Sequence, residues 1–245
     1  MEKKIAIVTG ASSGIGREFV RQLNRCTKTL EEVWVIARRE EPLLAMKEEG
    51  YYFRVRVLAL DLCRETDLNV LSEHLVVENP SVRVLVNAAG MGRAGRFDEL
   101  EKEEVENMME LNDKALVMIT HMVLPYMAKP GNIIQLASAS AFLPQKEFAV
   151  YAASKAFVLS FSRALHAEVK KQGITVTAVC PGPVDTAFLE LANRGREQKT
   201  LKKLVTVKPK PVVRKALRDA GAGKEISIYG LPMKMVAAAA RLLPM

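Results

Sequence analysis

Cysteine is scarce: Cys26, Cys63 and Cys180 are three in 245 residues, odd in number and far apart, with no CxxC pair among them. That excludes a disulfide framework and a thiolate zinc site. Histidine is scarcer in use, because His74, His121 and His166 have no ligand spacing. No apolar run approaches the roughly 20 residues that span a bilayer. The apolar residues Ile5 to Val8 behind Met1-Glu2-Lys3-Lys4 are too few for a signal-peptide core, so the expected address is cytoplasmic. There is no internal repeat, low-complexity segment or Pro/Gly/Ser linker to divide the chain. With 49% hydrophobic and 26% charged residues, residues 1–245 are expected to form a single domain around one continuous core.

What is present in excess is positive charge, and it is local. The net charge is +8, and residues 191–220 carry all of it: Arg194, Arg196, Lys199, Lys202, Lys203, Lys208, Lys210, Arg214, Lys215 and Arg218 face only Glu197 and Asp219. That stretch has no Phe, Tyr or Trp, so the base-stacking side chains of a nucleic-acid surface are missing, and nucleic acid is not expected as a partner. Residues 231–245 form an apolar tail interrupted by Lys234 and Arg241. Its expected place is on its own domain or a partner subunit, with a membrane surface as the alternative.

Short β-rich runs recur at Ile5 to Val8, Val33 to Ala37, Phe53 to Leu60, Val82 to Val86, Ile133 to Leu136, Ile174 to Val179 and Ile226 to Tyr229. Between them, 14–27, 101–127, 150–171 and 211–220 carry apolar residues at helical spacing. Strands alternating with helices predict an α/β chain: a doubly wound Rossmann fold with a parallel seven-stranded sheet. Ligands in such sheets bind beyond the carboxyl ends of the strands, so those ends are where chemistry belongs.

After the first strand comes Thr9-Gly10-Ala11-Ser12-Ser13-Gly14-Ile15-Gly16, then a helix. Gly10 permits a tight turn, Gly14 lets backbone amides approach a pyrophosphate, and Gly16 lets the helix lie close to the sheet. After the second strand, where a carboxylate would accept the ribose hydroxyls of NAD(H), the chain has Arg38 and Arg39, which suit a phosphate dianion. NADP(H) is therefore expected over NAD(H). Asp61-Leu62 after the third strand can hold an adenine amino group. Asn87-Ala88-Ala89-Gly90 after the fourth leaves room for a ribose.

Tyr151 and Lys155 lie one helical turn apart on the same face. An ammonium beside a phenol favours the phenolate, which predicts a tyrosine pKa lowered toward the working range of a general acid or base. Ser138, thirteen residues upstream at a strand end, offers a hydroxyl to a substrate oxygen; Ser140 is the competing hydroxyl. Asn112 puts a polar amide in the middle of a long helix.

Taken in order, these residues resemble the classical short-chain dehydrogenases/reductases over about residues 3–190, with Pro181-Gly182 through Val184 to Thr186 completing the set. The resemblance implies reduction of a ketone or aldehyde to an alcohol, reversibly, on a hydrophobic carbonyl substrate such as a 3-oxoacyl or steroid-like ketone. It implies Tyr151 as proton donor, Ser138 as polarising hydroxyl, Lys155 on the nicotinamide ribose and Asn112 holding a relay water. Pro181, Gly182, Val184 and Thr186 would seat the nicotinamide, residues 186–210 would form a substrate lid, and the chain would form a homodimer or homotetramer. The alternatives are an NAD-linked secondary-alcohol or hydroxysteroid dehydrogenase, a non-catalytic NADP-binding interaction protein, and a peripheral membrane enzyme. The position of the +8 leaves two readings: attraction of an anionic substrate, carrier or membrane, or a solvated helical face.

Overall fold

The computed structural model describes residues 2–26, 28–192 and 206–240. The strands are β1 (Lys4–Thr9), β2 (Glu32–Ala37), β3 (Arg54–Ala59), β4 (Ser81–Asn87), β5 (Met127–Leu136), β6 (Ile174–Val179) and β7 (Ile226–Ser227). The helices are α1 (Gly14–Cys26), α2 (Glu41–Leu44), α3 (Glu65–Glu78), α4 (Lys102–Met109), α5 (Ala115–Val123), α6 (Ala149–Val169), α7 (Ala187–Ala192), α8 (Pro209–Gly221) and α9 (Leu231–Ala240).

All seven strands pair in parallel in the order β3-β2-β1-β4-β5-β6-β7. The near-continuous Val/Ile/Leu runs follow from this, since a parallel sheet is covered on both faces. In β1, Ala6 and Val8 join the layer holding Phe19, Val20 and Leu23 of α1 and Val212, Val213 and Ala216 of α8. Ile5 and Ile7 point the other way, to Leu71 and Leu75 of α3, Ile119 and Val123 of α5, and Leu165 and Val169 of α6. Each fully buried side chain of this size contributes about 1.5–3 kcal/mol, so two faces of them set the sheet's position before any polar group is considered.

The order reverses between β1 and β4, whose ends are level because Thr9 pairs with Asn87. There the Thr9 hydroxyl accepts from the amides of both Ala88 and Ala89 at 3.1 Å. This pins the two loops that flank the crevice.

Three expected boundaries were wrong. The helix expected over 101–127 is broken by a π-helical turn, Glu110–Lys114, and gives way to β5 at Met127. The strand expected from Ile133 begins at Met127, and Pro130-Gly131 lies inside it, because the pairing with β4 jumps from Val82↔Met127 to Val84↔Asn132 and the bulge absorbs these residues. The last strand stops at Ser227 rather than Tyr229. Among the described residues no helix is long and apolar enough to cross a membrane, and no group of side chains could hold a metal ion. Residues 193–205 of the expected lid, with Arg194, Arg196, Lys199, Lys202 and Lys203, lie outside the described residues, as do the last five residues of the apolar tail.

Candidate active site

The glycine turn after β1 is built for close approach. Gly10 has φ +66°, and a Cβ there would lie 2.7 Å from the Ala89 nitrogen. A Cβ on Gly16 would lie 2.2 Å from the Gly10 carbonyl oxygen, so α1 can start this close to the turn only without a side chain. Gly14, at φ +54°, faces Thr186, whose methyl would be 3.1 Å from an added Cβ. Ser12, Ser13 and Ile15 complete the turn; the Ser13 carbonyl accepts from Arg17 at 3.1 Å, and Ile15 packs on the α1 side of the core.

Arg38 and Arg39 are exposed directly after β2, and among the described residues neither is in an ion pair. Asp61 is partly committed: its carboxylate accepts from the Cys63 amide at 3.2 Å and its own amide donates to Asp67 at 2.7 Å. Leu62 is buried in the core, so only its backbone remains for a ligand. Asn87 turns inward, donating to Thr120 at 3.0 Å and to Gln135 at 2.9 Å, which makes it a clamp between β4, α5 and β5. Ala88 and Ala89 offer no side chain beyond a methyl. A Cβ on Gly90 would meet the Asn112 carbonyl oxygen at 3.1 Å and the Lys155 ammonium at 3.4 Å.

Asn112 sits in the π turn and is fully buried. Its amide donates to the Met91 carbonyl at 2.9 Å and to the Ser154 hydroxyl at 3.0 Å, while its oxygen accepts from the Met91 amide at 2.9 Å. The side chain therefore straps the loop after β4 to α6, and its hydrogen-bonding capacity is used within the chain. The extra residue of the π turn is what turns the amide inward at this point.

Ser138 caps the short 3-10 turn Ala139–Phe142, its oxygen accepting from Ser140 at 3.1 Å. The Ser138 side chain also acts on the Tyr151 phenol, favouring its deprotonated form. The Ser140 hydroxyl turns instead to Gln145 at 3.4 Å. Ala139 donates to the Pro181 carbonyl at 2.8 Å, which seats the end of β5 against the 181–186 segment. Val184 is buried there and bridges Val207, and the Thr186 hydroxyl returns to the Val184 carbonyl at 3.3 Å.

Tyr151 is buried between two aromatic rings. Phe148 stacks on it at 4.3 Å between centroids, and Phe188 of α7 lies at 5.7 Å. A Cβ on Gly92 would touch both Tyr151 and Phe188 at 3.0 Å. This burial pushes the phenol pKa up to about 12, with the Ser138 side chain pulling against it. The lowering expected from Lys155 does not materialise: the ammonium is 5.7 Å from the tyrosine ring centroid and donates to the Leu136 carbonyl at 2.9 Å. Lys155 is itself brought down to about 8 by burial, with Asp113 and Cys180 opposing. Desolvation outweighs the Ser138 side chain at Tyr151 and the charges of Asp113 and Cys180 at Lys155.

Sequence reasoning missed Asp113. Half-buried beside Asn112, with one carboxylate oxygen shielded and without a hydrogen-bond partner among the described residues, it is pushed up to about 6 by burial. It also missed Phe148, Phe188 and Arg93, which gather around Tyr151 and α7 only in three dimensions. Arg93 donates to the Leu191 carbonyl at 2.5 Å and Ala94 to that of Ala192 at 2.8 Å, so the loop after β4 holds the end of α7.

Residues 4–197 match the short chain dehydrogenase family. An uncharacterized oxidoreductase of Staphylococcus epidermidis is 29% identical over 201 residues, covering 81% of this chain and 86% of its own. A very-long-chain 3-oxoacyl-CoA reductase of Meyerozyma guilliermondii is 31% identical over 232 residues, 89% of this chain and 65% of that protein. A short-chain dehydrogenase from Sphingobium yanoikuyae, solved in complex with NADPH, superposes with a TM-score of 0.81 at 26% identity, covering 98% of this chain and 94% of that one. With the parallel sheet, the glycine turn and a family match over most of its length, the chain belongs to the short-chain dehydrogenases and is an oxidoreductase.

Proposed function

We propose that this chain reduces a hydrophobic ketone or aldehyde to an alcohol with NADPH, with Tyr151 as the proton donor. The observation that carries the reading is Tyr151 buried between the rings of Phe148 and Phe188, with the Ser138 hydroxyl acting on its phenol. A phenol with a pKa near 12 keeps its proton at neutral pH, the state a general acid needs for the reductive direction.

The residues present fit a dinucleotide carrying an extra phosphate. Gly10, Gly14 and Gly16 leave a cradle that any Cβ would fill, α1 points its N-terminus at that cradle, and Arg38 and Arg39, exposed at the end of β2, have no ion-pair partner among the described residues. Asp61, Leu62, Asn87, Ala88, Ala89 and Gly90 would flank the adenosine and ribose, and Pro181, Gly182, Val184 and Thr186 the nicotinamide. When bound, NADPH supplies the hydride. Ser138 would donate to the carbonyl oxygen, and Tyr151 would give that oxygen its proton. Lys155 would hold ribose hydroxyls and stabilise the phenolate left behind. Asn112, with its amide occupied, would act by fixing the loop after β4.

Phe148, Phe188 and Gly92 give the entrance to Tyr151 an apolar wall, which supports a hydrophobic substrate such as a 3-oxoacyl thioester. The name of the 3-oxoacyl-CoA reductase relative points the same way. Residues 186–210 would serve as the lid, with α7 latched by Arg93 and Ala94. Exposed Met118 and Phe157 on α5 and α6 support self-association as a dimer or tetramer. The test follows NADPH oxidation over 3-oxoacyl thioesters, steroid ketones and small aldehydes. Turnover by the native chain that disappears in Tyr151→Phe is expected; full turnover in that variant would overturn the mechanism.

A further inference from the structure

Two of the glycines around the site are filled from outside by a large apolar side chain. One is Gly92, against Phe188. The other is Gly182, where an added Cβ would lie 2.7 Å from the sulfur of Met233 and 2.9 Å from its Cγ. Met233 belongs to α9, which lies in the apolar tail expected to pack on its own domain or a partner subunit. We propose that Met233 is a positioning residue for the Pro181–Gly182 segment, pressing it into the conformation that receives the nicotinamide half of the cofactor.

Three observations place α9 there. Cys180, immediately before the segment, donates to the Ser227 carbonyl of β7 at 2.9 Å, so the chain arrives beside Pro181. Gly230, at φ +86°, lets it double back directly into α9. The helix then packs on the turn Ala139–Phe142, whose Ala139 amide donates to the Pro181 carbonyl at 2.8 Å. Met233 thus sits where the backbone after Ser138 meets the backbone before Val184. Its neighbours Leu231 and Met235 are exposed, whereas Met233 is partly buried. An unbranched thioether fills such an irregular gap between two backbones without demanding one rotamer. Glycine at 182 is required by this contact and not by its own backbone, since its φ is not positive.

This inference rests on the reading of residues 181–186 as the nicotinamide seat. The experiment measures, by calorimetry, the Kd of the full chain for NADPH and for 2′-phospho-ADP-ribose, which has the same phosphates and adenosine without the nicotinamide. Met233→Ala is expected to weaken NADPH about tenfold, within the range for residues in contact, and to leave 2′-phospho-ADP-ribose unchanged. Met233→Leu, of similar volume, is expected to bind both like the native chain. Equal weakening of both ligands, or no change in either, would overturn the proposal. If the native chain bound neither, the NADPH reading itself would fall, and the proposal with it. Should Met233→Ala fail to fold, Gly182→Ala and Gly182→Ala with Met233→Val, whose shorter side chain withdraws the sulfur from residue 182, carry the test. The single change should weaken NADPH, and removing the methionine should restore part of the loss. An absence of restoration would refute the contact's role.

Discussion

The Lys155 ammonium donates to the Leu136 carbonyl at 2.9 Å, so it is tied to the end of β5 rather than to the phenol of Tyr151 one turn away. A charged lysine in a fully buried position costs stability, and the lowering of its pKa from 10.5 to about 8 records that cost. Below pH 8 the group is protonated both folded and unfolded, and the full penalty applies. Between pH 8 and 10.5 the unfolded chain binds more protons than the folded one, so stability rises with pH. Lys155→Met should therefore lose activity yet melt higher at pH 7, by on the order of 2 kcal/mol after subtracting the lost hydrogen bond. Thermal melts at pH 7 and pH 10 check this. The advantage should shrink at the higher pH, and a variant less stable than the native chain at pH 7 would contradict the account.

Among the described residues Arg38 and Arg39 have no ion-pair partner after β2, and such a guanidinium is available to a phosphate. Arg38→Asp should raise KM for NADPH by about 10- to 100-fold, the value of one charge-assisted contact, while lowering or sparing KM for NADH. Steady-state titration of both cofactors decides it. Equal changes for the two would remove Arg38 from phosphate recognition.

Glycines at close approaches and glycines in open space should respond oppositely to the same methyl group. Gly16→Ala drives a Cβ to 2.2 Å from the Gly10 carbonyl oxygen, between two backbones that cannot give way cheaply. A loss of at least about 1–3 kcal/mol is expected. Gly221, the last residue of α8, has nothing among the described residues within 4 Å of its would-be Cβ. There Gly221→Ala should stabilise by about 0.4–1 kcal/mol through the unfolded chain. Denaturant unfolding of both variants measures the contrast, and similar losses in both would show that the approach at Gly16 is not tight.

The alternation of β-rich and helical segments was readable because both faces of a parallel sheet must be apolar, and that demand writes Val, Ile and Leu into short runs. Thr9 to Gly16 was readable because a tight turn leading into a helix leaves glycine few substitutes. The π turn at Glu110–Lys114 was not readable, since one extra residue per turn leaves helical spacing almost unchanged over so short a span. Nor was the start of β5, where a bulge hides Pro130-Gly131 inside a strand. Asn87 and Asn112 were found as residues, but the direction of each amide depended on partners far along the chain: Thr120 and Gln135 for one, Met91 and Ser154 for the other.

Local order in the chain determined the sheet, the glycine turn and the presence of Ser138, Tyr151 and Lys155 at the ends of strands and along one helix face. These follow from periodicity and backbone sterics within a few residues. Tertiary structure decided the protonation of the pair. Adjacency alone predicted a lowered tyrosine pKa, but Phe148 and Phe188 close over the ring and remove the water that would stabilise the phenolate. It also decided where the apolar tail packs, by bringing Met233 onto Gly182 across 51 residues of chain. Desolvation and contact are sums over neighbours in space, and a sequence specifies those neighbours only through the fold.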